Sequence, residues 1–298
     1  MGSSPPDYGR GPAQGGPAPE ILPPNGYIPP PPQYGYGPQT PQPPPPPRPR
    51  RRWAMAPGTY SLVGINCAVY LLMVLNRVSP TMPDTDSLMR WGANHAGAVL
   101  LDGQWWRIVT AMFVHGGILH LALNMWCLWN LGLLAEPLMG SFGVIAAYLL
   151  TGAAGNLLSN LYNWIHYRPS GPFPAAVGAS GAVFGIAGAL IVLLKSPRLP
   201  VPALELKKLR RSVIYFAVIN LVIGLSINVG TSHYGAGIAV DNFAHLGGCA
   251  SGLLFAVPMV PRIGSPRESF VFRRRVAVGM VTGILVLFGY YLSTLAPR

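Results

Sequence analysis

The chain has 298 residues, of which 50% are hydrophobic and 10% charged, and its mean hydropathy is +0.36. Soluble domains carry about 25% charged residues, so this composition excludes an ordinary water-soluble fold and points to a membrane protein. The net charge of +12, from 21 basic and 9 acidic residues, would suit nucleic acid only if the bases shared one face of a soluble fold; they fall between apolar segments instead, so no nucleic-acid partner is expected.

Residues 1–50 hold no apolar core, so no signal peptide is expected, and the segment 1–56 runs through "PPNGYIPPPPQYGYGPQTPQPPPPPRPRRRW". Pro, Gly, Gln and Tyr at this density bury too little surface to fold. A disordered cytoplasmic tail with polyproline II character is predicted, and any partner for it is left open. Seven apolar segments follow, near 59–77, 117–138, 141–163, 179–195, 212–230, 243–261 and 276–296. Each is close to the ~20 residues that a spanning helix needs, which predicts an all-α polytopic membrane protein. The stretch 79–116, with "DGQWWRIVTAMFVHGG", is too polar and broken to span, but Trp105 and Trp106 suit a headgroup interface.

Charge predicts orientation. With the tail inside, Arg48, Arg50, Arg51, Arg52, Lys195, Arg198, Lys207, Lys208, Arg210, Arg211, Arg262, Arg267, Arg273, Arg274 and Arg275 share the cytoplasmic side. Only Arg77, Arg90, Arg107, Arg168 and Arg298 fall on the other. The positive-inside rule then puts the N-terminus in the cytoplasm and the C-terminus outside. Cys67, Cys127 and Cys249 are far apart with no metal-ligand spacing. They are expected to pack between helices, and no metal is expected.

Polar residues inside membrane helices are costly and mark function by default. In "VHGGILHLALNM", His120 and Asn124 are four apart and share a helix face, with His115 at or before the helix start. In "FAHLGGCASG", His245, Gly248 and Gly252 form a second stripe; in "VGASGAVFGIAG", Ser180 precedes Gly181, Gly185 and Gly188. Small-residue stripes let helix backbones approach closely, and a lone serine or histidine in one is commonly plain packing. Together they fit a reaction. A serine hydroxyl is a weak nucleophile until a neighbouring base takes its proton, as His245 can. The tetrahedral intermediate then needs preorganised donors, which His120, Asn124 and the free amide of Ser180 at a helix N-terminus supply. Glu136 lies near a helix end and Asp241 reads as loop or helix cap, so a dyad is expected rather than a triad. A helix from Ser180 to Lys195 rises only about 24 Å against ~30 Å of hydrocarbon. The run "HYRPSGPFPAAVG" before it should therefore dip inward.

At these residues the sequence resembles the rhomboid family of intramembrane serine proteases, in the bacterial form with six core helices plus one. The matching motifs are "GASG" around Ser180, "HGGILHLALN" from His115, "AHLGG" around His245 and "WR" at Trp106–Arg107, in order and at matching spacing over about 57–298. The resemblance implies a six-helix core over 57–261, then a basic linker and seventh helix over 262–298. It implies Ser180 as nucleophile, His245 as general base and acid, and His120, Asn124 and the Ser180 amide as the oxyanion site. By the same resemblance Gly178 belongs to the catalytic turn, Gly248 and Gly252 pack helix six on helix four, and Phe184 stacks on His245. Trp106, Arg107 and Glu136 organise the first loop and helix ends. Implied substrates are single-pass transmembrane proteins in the lipid bilayer, with no cofactor. His95, His166 and His233 are expected in loops without chemistry. A catalytically silent relative that binds membrane helices would be expected to lack Ser180 or His245, and neither is lost.

Overall fold

The computed structural model describes residues 56–167, 173–195, 202–234, 240–262 and 266–295. Apart from Ala56, the predicted tail lies outside the described residues, as do Arg168, Arg198, Arg298 and the middle of the predicted inward dip. Helix α1 (Pro57–Leu75) starts with Pro57 in its first turn, where a missing N–H costs nothing. Its remaining N-terminal amides are satisfied from outside the helix. Glu136 accepts hydrogen bonds from the Gly58 and Thr59 N–H groups, each at 2.8 Å, and from the Thr59 hydroxyl at 2.6 Å. One buried carboxylate thereby ties two distant segments together.

The stretch predicted not to span is a set of short elements: α2 (Thr85–Trp91), β1 (Asn94–His95), α3 (Ala96–Leu100) and α4 (Arg107–Thr110). Asp84 caps α2 by accepting from the Ser87 N–H, and Gly92 closes it with φ of 101°. Arg107 draws the group together, donating to the carbonyls of Met89 (2.8 Å) and Ala93 (3.0 Å) and to the Gln104 side chain (2.7 Å).

Helix α5 (Ile118–Tyr167) has 50 residues, interrupted at Gly140, where φ is 71° and ψ 163°. A continuous helix of that length would run about 75 Å, far beyond one bilayer. The two arms instead lie side by side: Tyr148 in the second arm donates to the Met112 carbonyl and packs its ring 5.6 Å from Phe113, just before the first arm begins. The expected spans 117–138 and 141–163 are therefore two arms meeting at a reversal, and the second runs on to Tyr167.

β2 (Ala175–Ala176) pairs antiparallel with β1, Asn94 opposite Ala176 and His95 opposite Ala175. It is followed by α6 (Ser180–Leu193), α7 (Ala203–Tyr234), α8 (Asn242–Ala256) with a 3₁₀ extension (Val257–Arg262), and α9 (Arg267–Leu295). Two expectations about the sequence change here. Arg273, Arg274 and Arg275 lie inside α9, not in a linker before it. At 29 residues α9 is about 43 Å long, so its first turns exceed the ~30 Å core and can carry charge. His166 and His233 lie in helices α5 and α7, and His95 in β1, rather than in loops.

Many large apolar side chains point outward, among them Leu72, Leu119, Trp126, Phe142, Leu287 and Tyr291. The interior instead holds Thr59, Asn66, Glu136, Ser159 and Asn160. Apolar outside and hydrogen-bonded polar inside is the arrangement a lipid solvent requires, and the chain is a multi-pass membrane protein.

Candidate active site

The serine is delivered by a turn. Gly178 has φ of 117° and donates its N–H to the Ala111 carbonyl at 2.9 Å, so this turn hangs on the end of α4. Ala179 precedes the first turn of α6 with no side-chain cap, which leaves the Ser180 amide at an open helix N-terminus. Gly178 is needed for space as well as conformation. A methyl group there would lie 2.7 Å from His120 Cε1, 2.8 Å from His120 Nε2 and 3.8 Å from Asn124 Nδ2. The structure thus brings the turn before Ser180 directly against His120 and Asn124.

The polarity of His120 follows from its contacts. The Gly116 N–H donates to His120 Nδ1 at 3.3 Å, so the neutral ring carries its proton on Nε2, the edge that faces Gly178. Asn124 donates one Nδ2 hydrogen to the His120 carbonyl at 3.0 Å; an amide has two, and the other is free for a ligand. His115 is fully buried, with its ring 5.3 Å from that of His120 and Nδ1 3.3 Å from the Phe113 carbonyl.

His245 arrives from α8 because α8 lies backbone to backbone on α6. A methyl group at Gly248 would sit 2.0 Å from the Gly181 carbonyl oxygen, one at Gly252 1.9 Å from that of Gly185, and one at Gly188 2.4 Å from that of Cys249. The stripes on the two helices interlock. The His245 ring stacks on Phe184 at 4.3 Å and 6°, so an aromatic face orients it. No carboxylate does so among the described residues. Asp241 accepts from the Ala244 N–H at 2.9 Å and from the Ser159 hydroxyl, and so is a helix cap. A water-sized cavity of about 10 Å³ lies behind the serine, lined by Ser180, Gly181, Asn156, Asp241 and Ala244 among others.

Trp106 and Arg107 do not reach this cluster. Trp106 is half exposed with the Arg107 guanidinium 4.6 Å over its ring, and Arg107 acts on the loop as described above. Sequence reasoning missed a polar face on the second arm of α5: Asn156, Ser159, Asn160 and Asn163. Asn156 donates to the Ile108 carbonyl, Asn160 to Asn94, and Asn163 to Ser159. Their spacing of i, i+3, i+4 and i+7 is the signal that would have found it. Among the described residues no cluster has the makings of a metal site.

Comparison with known proteins agrees with this architecture. A family model described as the Rhomboid domain matches residues 102–262. The chain is 29% identical over 233 residues to rhomboid protease GluP of Bacillus subtilis, covering 78% of this chain and 40% of GluP. It is 28% identical over 246 residues to rhomboid protease AarA of Providencia stuartii, covering 78% of this chain and 83% of AarA. Rhomboid-like protease 3 of Toxoplasma gondii is 32% identical over 195 residues, 65% of this chain and 66% of that protein. The chain thus spans well under half of GluP but most of AarA.

Proposed function

The chain belongs to the rhomboid family, and from that premise we propose that it is an intramembrane serine endopeptidase working through a Ser180–His245 dyad. What supports the reading is that the turn before Ser180 lies directly against His120 and Asn124, and that α8, whose His245 stacks on Phe184 one turn after Ser180, packs backbone to backbone on α6. In this reading Ser180 Oγ attacks the scissile carbonyl carbon while its proton passes to the His245 imidazole. The carbonyl oxygen, now negative, takes hydrogen bonds from His120 Nε2–H, the second Asn124 Nδ2–H and the Ser180 amide. Collapse of the tetrahedral species breaks the peptide bond as His245 returns the proton to the leaving nitrogen. Water then attacks the acyl-serine, with His245 again as base, and releases the new carboxyl end and the serine.

Depth is consistent with this chemistry. Helix α6 has 14 residues, about 21 Å, so anchored at its cytoplasmic end it begins several Å short of the opposite face of a ~30 Å core. In the described backbone before it, Ala175–Ala176 pair with β1 and the Gly178 N–H donates to the Ala111 carbonyl, so protein meets these polar groups as non-helical backbone at membrane depth requires. Substrates in this reading are single-pass transmembrane proteins cut in or near their membrane segment. The basic residues at the starts of α7 and α9 support an inside N-terminus and an outside C-terminus.

The test is cleavage of a tagged single-pass substrate in liposomes by wild type and by Ser180→Ala. Cutting by the wild type and none by the variant, with equal membrane insertion, is the expected result. Equal cutting by both would overturn the assignment of the nucleophile.

A further inference from the structure

The helix that carries His245 has an unusual first turn, and its contacts single out one carboxylate. Asp241 holds that turn twice: its side chain accepts from the Ala244 N–H at 2.9 Å, and its backbone carbonyl accepts from the His245 N–H at 3.2 Å. Its second carboxylate oxygen accepts from the hydroxyl of Ser159, on the second arm of α5, and Ser159 in turn accepts from Asn163 Nδ2 at 3.3 Å. Ala244, the residue being capped, lies at the crossing of three helices. A methyl group at Gly155 of α5 would come within 2.4 Å of the Ala244 carbonyl oxygen, and one at Gly181 of α6 within 3.3 Å. The neighbouring turn is equally tight, since a methyl group at Gly247 would meet the Ala154 carbonyl oxygen at 2.9 Å.

Glycine contacts fix how close α8 comes to its neighbours, but they are non-directional and tolerate rotation or sliding. Hydrogen bonds are directional. Among the described residues, the Asp241–Ser159 hydrogen bond ties the N-terminal cap of α8 to another helix, four residues before His245. On the α6 side the His245 ring stacks on Phe184, a face that does not fix its rotation or height. We propose that Asp241 is a positioning residue, which by bonding Ser159 and capping α8 fixes the rotation and height at which His245 meets Ser180.

This inference rests on the dyad reading above and extends it. A triad acid would have to contact the imidazole, whereas both oxygens of Asp241 are engaged elsewhere. Its effect is therefore on geometry and not through charge on His245. Asparagine satisfies the same geometry. Its carbonyl oxygen caps Ala244, and its amide donates to the Ser159 oxygen.

The test uses the full-length protein in liposomes, with Asp241→Ala, Asp241→Asn, Ser159→Ala and the double variant Asp241→Ala/Ser159→Ala. Two rates are read: kcat and KM for a tagged single-pass substrate, and the rate at which a small soluble fluorophosphonate phosphonylates Ser180. Misplacing reacting groups by about 1 Å costs on the order of 100-fold, so Asp241→Ala is expected to lower kcat by about 10- to 100-fold. KM should stay nearly unchanged, and phosphonylation should slow in parallel. Asp241→Asn should recover most of the loss. Ser159→Ala should fall between, and the double variant should be no worse than Asp241→Ala alone.

Wild-type rates in Asp241→Ala, or a loss in Asp241→Asn as large as in Asp241→Ala, would overturn the positioning role. So would additive losses in the double variant. If Asp241→Ala does not fold, Ser159→Ala, which keeps the helix cap, decides alone: an unchanged kcat there overturns the proposal. Failure of the dyad reading looks different, because the wild type itself would then not react with the fluorophosphonate at Ser180.

Discussion

Helices α6 and α8 approach backbone to backbone at their glycines, and Gly248→Ala tests whether catalysis depends on it. The added methyl carbon would lie 2.0 Å from the Gly181 carbonyl oxygen, a contact that real Cβ atoms do not make below 3.0 Å, so the two helices must part locally by about 1 Å. The obstacle is main chain on both sides, and no side-chain rotation relieves it. Overpacking of this kind costs about 1–3 kcal/mol of stability, and a shift of about 1 Å between reacting groups costs on the order of 100-fold in rate. Gly64→Ala on α1, where a methyl group meets nothing within 4 Å, is the matched control and should gain slightly from helix propensity. Cleavage kinetics and thermal unfolding in one detergent would read both variants. Gly248→Ala cutting within twofold of wild type, at unchanged stability, would refute the argument that this close approach sets the dyad.

Other outcomes follow from single contacts. Glu136→Ala leaves two buried amides and a hydroxyl of α1 without their acceptor. It should cost at least about 2–4 kcal/mol in thermal or denaturant unfolding, with Glu136→Gln recovering part. Gly178→Ala combines a left-handed φ with a methyl group 2.7 Å from His120, and should abolish measurable cleavage while the protein still inserts. His95, in β1, caps α3 by accepting the Ala98 N–H at 3.1 Å, which only the neutral ring can do. Burial, the largest influence, holds its pKa below the ordinary value. A lowered folded pKa means this stabilisation is present above the unfolded value of about 6.5 and is lost as pH falls through the folded one. Thermal midpoints recorded below pH 6.5 should therefore fall less in His95→Asn than in wild type; equal pH dependence would count against it.

The helices were legible in the sequence because each is a run of apolar residues bounded by polar or proline-rich ones, and a membrane imposes its thickness on such runs. The glycine stripes were legible too, since Gly181, Gly185 and Gly188 against Gly248 and Gly252 declare a contact by their period alone. Less legible was what holds non-neighbours in register. Nothing near Gly178 in sequence announces that His120 lies against it. That contact depends on the turn hanging from Ala111 and on the reversal at Gly140. Asp241 looked like a cap and is one, but its second partner, Ser159, comes from a helix 82 residues earlier. The start of α9 is not legible in the sequence, because Arg273, Arg274 and Arg275 resemble a linker. A helix longer than the bilayer can carry them at its end, with Arg274 lying over Phe142 and Phe270.

The most direct test of the central claim is intact-mass measurement after exposing the liposome-reconstituted protein to a fluorophosphonate, for wild type, Ser180→Ala and His245→Ala. One phosphonyl adduct on the wild type, mapped to Ser180, and none on either variant within the same time is the expected result. An adduct on Ser180→Ala, or one forming as fast on His245→Ala as on wild type, would contradict it.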